Sequence, residues 1–308
     1  MSFNPTRKEK QAVNVLKKSK AYRLAYKDPD FLDSPYARPA RLQLELLKAE
    51  FGLRQQQVRS TIVVFGGTRI VEKAEARKRV QEAESRVRLS PRNQELRRQL
   101  KAARSILAKS AYYDEAREFA RLVSAECQSG NGRDYVIVTG GGPGVMEAAN
   151  RGAFEIGAKS IGLNITLPLE QEPNPYITPD LCFQFHYFAL RKMHFMLRAR
   201  ALVAFPGGYG TMDELFEGLT LVQTKKVAPL PIVLFGEKYW RGVIDFDFLV
   251  DQGTIAQEDL ELFVYADKAI DAWNYIKCFY EAADEYGPAE RSLWKHGDDK
   301  RKPEPGRE

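Results

Sequence analysis

Three times along this 308-residue chain, a short apolar run passes straight into a glycine-rich turn and then into a stretch with helical spacing. Thr61–Phe65 runs into Gly66-Gly67-Thr68-Arg69, and residues 135–138 run into Gly140-Gly141-Gly142-Pro143-Gly144. Residues 201–205 run into Pro206-Gly207-Gly208-Tyr209-Gly210. A strand without polar alternation is buried on both faces, the condition of an inner parallel strand covered by helices on each side. Further apolar runs at 160–165, 181–185, 230–235 and 261–264 alternate with helical stretches at 112–127, 189–200, 211–224, 240–252 and 267–284. Alternation over 61–284 predicts an α/β fold with a doubly wound, mostly parallel sheet. In such a sheet ligands bind at the C-terminal ends of the strands. All three glycine turns, and the proline-rich loop at 167–175, fall there.

The turns offer bare backbone amides to an anion. Gly207, Gly208 and Gly210 have no Cβ to hold a phosphate away. The first N–H groups of the helix that follows have no intrahelical partner and sit at its positive end. Glu214 stands one turn into that helix, read as 211–224. Thr211-x-x-Glu214 also fits a capping box, in which the carboxylate turns back onto the helix end. A catalytic carboxylate must instead face the ligand, and the local pattern leaves both open. The glycine spacing at 140–144 departs from the dinucleotide fingerprint, and no Lys-Ser or Lys-Thr pair follows the glycines as in a P-loop. Readings based on NAD, FAD or ATP hydrolysis therefore lose their support.

Hydrophobic content of 44% supports a full core, so this is not a disordered chain. The net charge of +6 is unevenly placed. Residues 72–109 hold twelve Lys and Arg against five acids, and carry apolar residues at helical steps. They read as two antiparallel helices joined at 89–93, an insertion (72–110) in the first strand-to-helix connection. Ser90-Pro91 signals the start of the second helix. Aromatics that could stack on bases are missing from this arm, so a solvated arm is favoured over a nucleic-acid contact. Residues 1–59 form a basic helical extension, 60–284 the α/β domain and 285–308 a charged tail. Cys127, Cys182 and Cys278 are scattered and in no metal spacing, as in a reducing cytoplasm. His186, His194 and His296 are not at ligand spacing from acids, so no metal or cofactor is expected. The charged start does not read as a signal peptide, and no run approaches membrane length.

Arg191 and Lys192 precede the third apolar run, and Pro206-Gly207-Gly208-Tyr209-Gly210-Thr211-Met212-Asp213-Glu214 follows it. This pair of motifs resembles that of the Lonely Guy (LOG) family, R-K followed by P-G-G-x-G-T-x-x-E. Residues 140–146 resemble the family's glycine loop, one residue tighter. Glu170 resembles its acid after a proline, and Thr220 a threonine beyond the motif glutamate. The resemblance implies a Rossmann-like fold, a homodimer or larger even assembly, and hydrolysis of the N-glycosidic bond of a nucleoside 5′-monophosphate. Its substrates are cytokinin riboside monophosphates or AMP. The older lysine decarboxylase label of some relatives finds no pyridoxal-phosphate lysine context here.

The resemblance assigns catalysis to Glu214 and Arg191, with Arg191 holding Glu214 ionised. It assigns the 5′-phosphate to the amides of Gly207, Gly208, Tyr209, Gly210 and Thr211. Gly66, Gly67, Thr68, Gly141 and Gly142 would line ribose and base, with Gly144, Glu170, Lys192, Asp213 and Thr220 as further substrate contacts. The rival reading is a non-catalytic nucleotide or molybdenum-cofactor carrier on the same fold. The presence of both Arg191 and Glu214 favours the enzyme.

Overall fold

The computed structural model describes residues 6–128, 133–168 and 172–285. Glu170, His296 and the tail from 286 onward lie outside the described residues, as does most of the turn expected at 130–134. The chain divides into two units, Met1–Phe51 and Gly52–Glu308.

The first unit is helical and basic. Helix α1 (Arg7–Lys18) begins in a capping box between Thr6 and Glu9. Helix α2 (Pro29–Leu32) is capped by Asp28, which also pairs with Arg23 at 3.2 Å. Helix α3 (Arg38–Gln55) runs across the unit boundary.

The second unit runs β1 (Thr61–Phe65), α4 (Lys73–Leu89), α5 (Gln94–Lys109), α6 (Ala111–Cys127), β2 (Val136–Thr139), α7 (Val145–Phe154) and β3 (Ser160–Ile165). It continues with β4 (Cys182–Phe185), α8 (Phe188–Leu197), β5 (Ala199–Ala204), α9 (Tyr209–Gln223) and β6 (Ile232–Phe235). It closes with α10 (Glu237–Val243), α11 (Phe246–Asp251), β7 (Phe263–Ala266) and α12 (Ala269–Glu285). The seven strands form one sheet in the order β4-β3-β2-β1-β5-β6-β7, and every pairing is parallel. The expected doubly wound α/β fold is the fold observed.

Burial explains the strand sequences. β1, β2 and β6 are buried at every position, while edge strand β4 alternates exposed and buried residues. Successive residues of β1 face opposite layers. Ile62 and Val64 join the core built with Phe119 and Val123 of α6, Ala148 of α7 and Trp273 of α12. Phe65 packs edge-on against Phe195 of α8 on the other side, with ring centroids 4.8 Å apart.

Most boundaries shift by one or two residues from the sequence reading, and four of the differences have a local cause. The helix expected at 189–200 stops at Leu197, because Ala199 already pairs with Thr61 as the first residue of β5. The helix expected at 240–252 is two helices. Ile244 is extended, and the Asp245 side chain accepts from Phe248 N at 3.0 Å to cap the second. Helix α5 starts at Gln94 and not after Pro91, because Asn93 caps it by accepting from Glu95 N and Leu96 N. Helix α9 starts at Tyr209, two residues before Thr211.

Candidate active site

The strand order turns back on itself between β1 and β5: the chain builds outward from β1 to β4, then returns to place β5 on the other side. The crevice above that reversal is where this sheet type holds ligands. A cavity of about 320 Å³ opens there. Its walls include Gly66, Gly67 and Thr68 after β1, Gly140 after β2, and Gly208, Gly210 and Thr211 after β5.

Backbone hydrogen bonds knit these turns together. Gly67 N donates to Pro206 O at 2.9 Å, and Val145 N donates to Gly67 O at 3.3 Å. Gly144 has φ +75°, and a Cβ there would stand 2.4 Å from Gly67 O, so this crossing of two turns requires glycine. Behind the third turn, the Tyr239 hydroxyl donates to Gly207 O, and Trp240 Nε1 donates to Ala204 O at 3.0 Å.

Helix α9 starts with Gly208 as its N-cap and no side-chain cap. The capping box of Thr211 and Glu214 therefore does not form: Thr211 is already inside the helix. The amides of Tyr209, Gly210 and Thr211 are the helix's first three and have no intrahelical carbonyl to bind. They lie at the positive end of a fifteen-residue helix whose first turn lines the cavity.

Glu214 is 6% exposed, and its Oε1 lies 3.9 Å from an Arg191 terminal nitrogen on α8. Arg191 is itself largely buried, packed over the rings of Phe188 and Phe195, and its Nε has no partner among the described residues. Burial pushes the Glu214 carboxyl up to about 7, against the downward pull of Lys192 and Arg191. The expected depression by Arg191 is thus present but outweighed, since at 3.9 Å the cation does not replace the lost water. Burial also lowers the Arg191 pKa. Lys192 faces away from the cavity lining and pairs with Asp213 at 2.8 Å and Glu217 at 3.0 Å, bracing α8 on α9.

Of the residues singled out from the sequence, Gly66, Gly67, Thr68, Arg191, Gly208, Gly210, Thr211, Asp213 and Glu214 line the cavity together. Gly141, Gly142, Gly144 and Gly207 shape the turns behind it. Tyr209, 93% exposed, lies with Lys192 and Thr220 along a shallower depression on the outer side of α9. The Thr220 hydroxyl is spent on Phe216 O at 2.7 Å. His194 is buried and packs on Phe185, and no metal-holding group of His, Cys, Asp or Glu occurs among the described residues.

Sequence reasoning missed the polar network under the second turn. Asn174 Nδ2 donates to Gly142 O at 3.1 Å and to Asn150 Oδ1 at 2.9 Å, which also accepts from Thr139 Oγ1 at 2.7 Å. The signal was available: an asparagine amid the small apolar residues of α7 must be satisfied once buried. Met146, Asn164, Ile165, Leu167 and Phe188 also line the cavity and were not singled out as site residues.

The family described as possible lysine decarboxylase matches residues 146–276. No curated protein matches the chain. Among solved structures, TM1055, a structural genomics target, is 19% identical, with 71% of this chain and 99% of that chain covered at a TM-score of 0.41. The Moco carrier protein from Chlamydomonas reinhardtii is 19% identical, with 56% and 89% covered at a TM-score of 0.38.

Proposed function

We propose that the chain, whose residues 146–276 match the family described as possible lysine decarboxylase, is a LOG-family enzyme that hydrolyses the N-glycosidic bond of a nucleoside 5′-monophosphate to free base and ribose 5-phosphate. AMP and cytokinin riboside monophosphates are the substrates of first choice. The observation that carries this reading is the burial of Glu214 beside Arg191 in a cavity whose other wall is a glycine-amide anion cradle.

The amides at the start of α9 take the 5′-phosphate, with the Thr211 hydroxyl beside them. Holding the phosphate there positions the ribose over Glu214. The C1′–N bond breaks with its electron pair leaving on the base, and positive charge builds on the ribose ring. The ionised Glu214 stabilises that charge more than it stabilises the neutral ground state, which lowers the barrier. Water adds its oxygen to C1′ and loses one proton, and the departing base takes one up. Arg191, with an unsatisfied nitrogen, orients Glu214 and the ligand. The even-numbered assembly belongs to the same proposal: Tyr209 and Phe216 stand exposed on α9 as the face a second copy would cover.

Incubation with AMP, GMP, CMP and a cytokinin riboside monophosphate, with free base read by chromatography, tests the reaction. Base release by the parent and its loss in Glu214→Ala are expected. Tight binding of a monophosphate without base release would replace the hydrolase with a nucleotide or Moco-type carrier.

A further inference from the structure

The helical hairpin stands away from the rest of its domain. Helix α4 buries only Ala76 and Val80, both in its first half, and α5 buries no residue. The two helices lean on each other and are tied by Arg104 and Glu84 at 2.9 Å. Of the twelve Lys and Arg in 72–109, only Arg79 and Arg104 pair with an acid among the described residues. At the tip, Arg88 and Arg92 flank Leu89, which is 86% exposed. The arm therefore ends in a small apolar knob between two cations.

The opposite charge is gathered elsewhere in the same domain. Residues 242–267 hold seven acids and no Lys or Arg. They run from the end of α10 through α11 to the edge strand β7. Asp245, Asp259 and Asp267 accept from backbone amides, while Asp247, Asp251, Glu258 and Glu261 are exposed. A recess of about 380 Å³ opens among them, lined by Phe246, Leu260, Phe263 and Tyr265 with Asp245 and Asp247 in its wall. Its rings accept a guanidinium, since Arg241 already lies over Tyr265 at 4.5 Å.

We propose that the hairpin tip of one copy of this chain docks into the acidic recess beside β7 of a second copy. Leu89 meets the apolar wall, and Arg88 and Arg92 pair with Asp247 and Asp251, which lie one turn apart on α11. The two surfaces match in polarity as well as in sign. A polyanion would satisfy the cations alone, whereas the recess also covers Leu89. Within one copy the surfaces do not pair: among the described residues, the ion pairs of 72–109 are Glu72 with Arg151, Glu75 with Arg79 and Glu84 with Arg104. Each copy carries both halves, so a two-fold pair makes the contact twice. The residues differ from Tyr209 and Phe216 on α9, so this contact adds to the assembly proposed through that face.

Light scattering of the full chain at about 50 mM and about 500 mM salt reads the contact through its charges. The parent is expected to show a concentration-dependent rise in mass at low salt that high salt removes, while an apolar α9 contact persists. Arg88→Glu with Arg92→Glu, and separately Asp247→Lys with Asp251→Lys, should each raise the Kd of that step by at least about tenfold. The first variant is then acidic at both tip and recess, and the second basic at both. An equimolar mixture of the two should therefore regain the step, which neither misfolding nor a contact inside one copy would allow. Leu89→Ser, with every charge kept, should weaken it as well. A step unchanged in either charge variant, a mixture no heavier than its parts, or a parent without a salt-sensitive step would overturn the proposal. A step lost only in the acid-side variant would give the recess to another cationic segment and overturn it too.

Discussion

Glu214 gives up its water on folding, and the pull of Lys192 and of Arg191 at 3.9 Å does not make up for it, so its carboxyl holds its proton up to about pH 7. The catalytic form is the ionised one, and base release should therefore rise with pH through about 7 and level off above it. A kcat/KM profile over pH 5 to 9 measures this, and a rate flat through neutrality would remove Glu214 from the chemistry. The same shift bears on stability. An acid whose folded pKa lies above its unfolded value of 4.5 favours the fold while protonated and burdens it once ionised. Stability is then lost as pH rises from about 4.5 through about 7, by an amount on the order of 2–3 kcal/mol. Glu214→Gln removes the burden, so its Tm should exceed the parent's at pH 8 by several degrees, with a smaller gap at pH 5. A gap independent of pH would mean that the carboxylate charge is not its cause.

At the scale of elements, legibility followed burial. β1 and β3 could be bounded to the residue because an apolar run ends where a glycine turn or a polar loop begins. The start of α9 could not, since Tyr209 and Gly210 are poor helix formers and their helical state is set by the turn beneath them. That turn is held from an element the sequence did not connect with it. Tyr239, on α10, lies thirty-two residues beyond Gly207 and donates its hydroxyl to the Gly207 carbonyl. The Lys192 pairs across α8 and α9 were equally hidden, because spacing on one helix says nothing of which acids a second helix offers. The glycine motif was legible as an anion cradle, but its support was not. Tyr239→Phe deletes one hydroxyl and leaves the ring packing on Trp240. If the hydroxyl fixes the phosphate turn, KM for the nucleotide rises several-fold with kcat nearly kept, since the interaction serves ground state and transition state alike. A fall in kcat at constant KM would place the effect at the ribose instead.

For the whole molecule, the distribution of charge decides which partners are credible. The segment 72–109 has twelve basic and five acidic residues, an excess larger than the chain's net +6, so the remainder of the chain is close to neutral. In the structure this segment is the hairpin of α4 and α5, bridged by Arg104 and Glu84 at 2.9 Å, and none of its residues lines the cavity. A cationic hairpin attracts any polyanion at low salt, by releasing counterions, without reading it. Specific binding of single strands needs stacking platforms, and 72–109 contains no aromatic residue. The full chain is therefore expected to bind RNA and DNA no more tightly than about 10⁻⁶ M at physiological salt, with affinity falling steeply as salt rises. Reversing Arg97, Arg98 and Lys101 to glutamate should abolish that residual binding and leave nucleotide hydrolysis unchanged. Fluorescence anisotropy of a labelled oligonucleotide across a salt series, beside base release by the same variant, decides the matter. Tight binding that survives high salt would make the arm a recognition element. Loss of hydrolysis on charge reversal would tie the arm to the cavity.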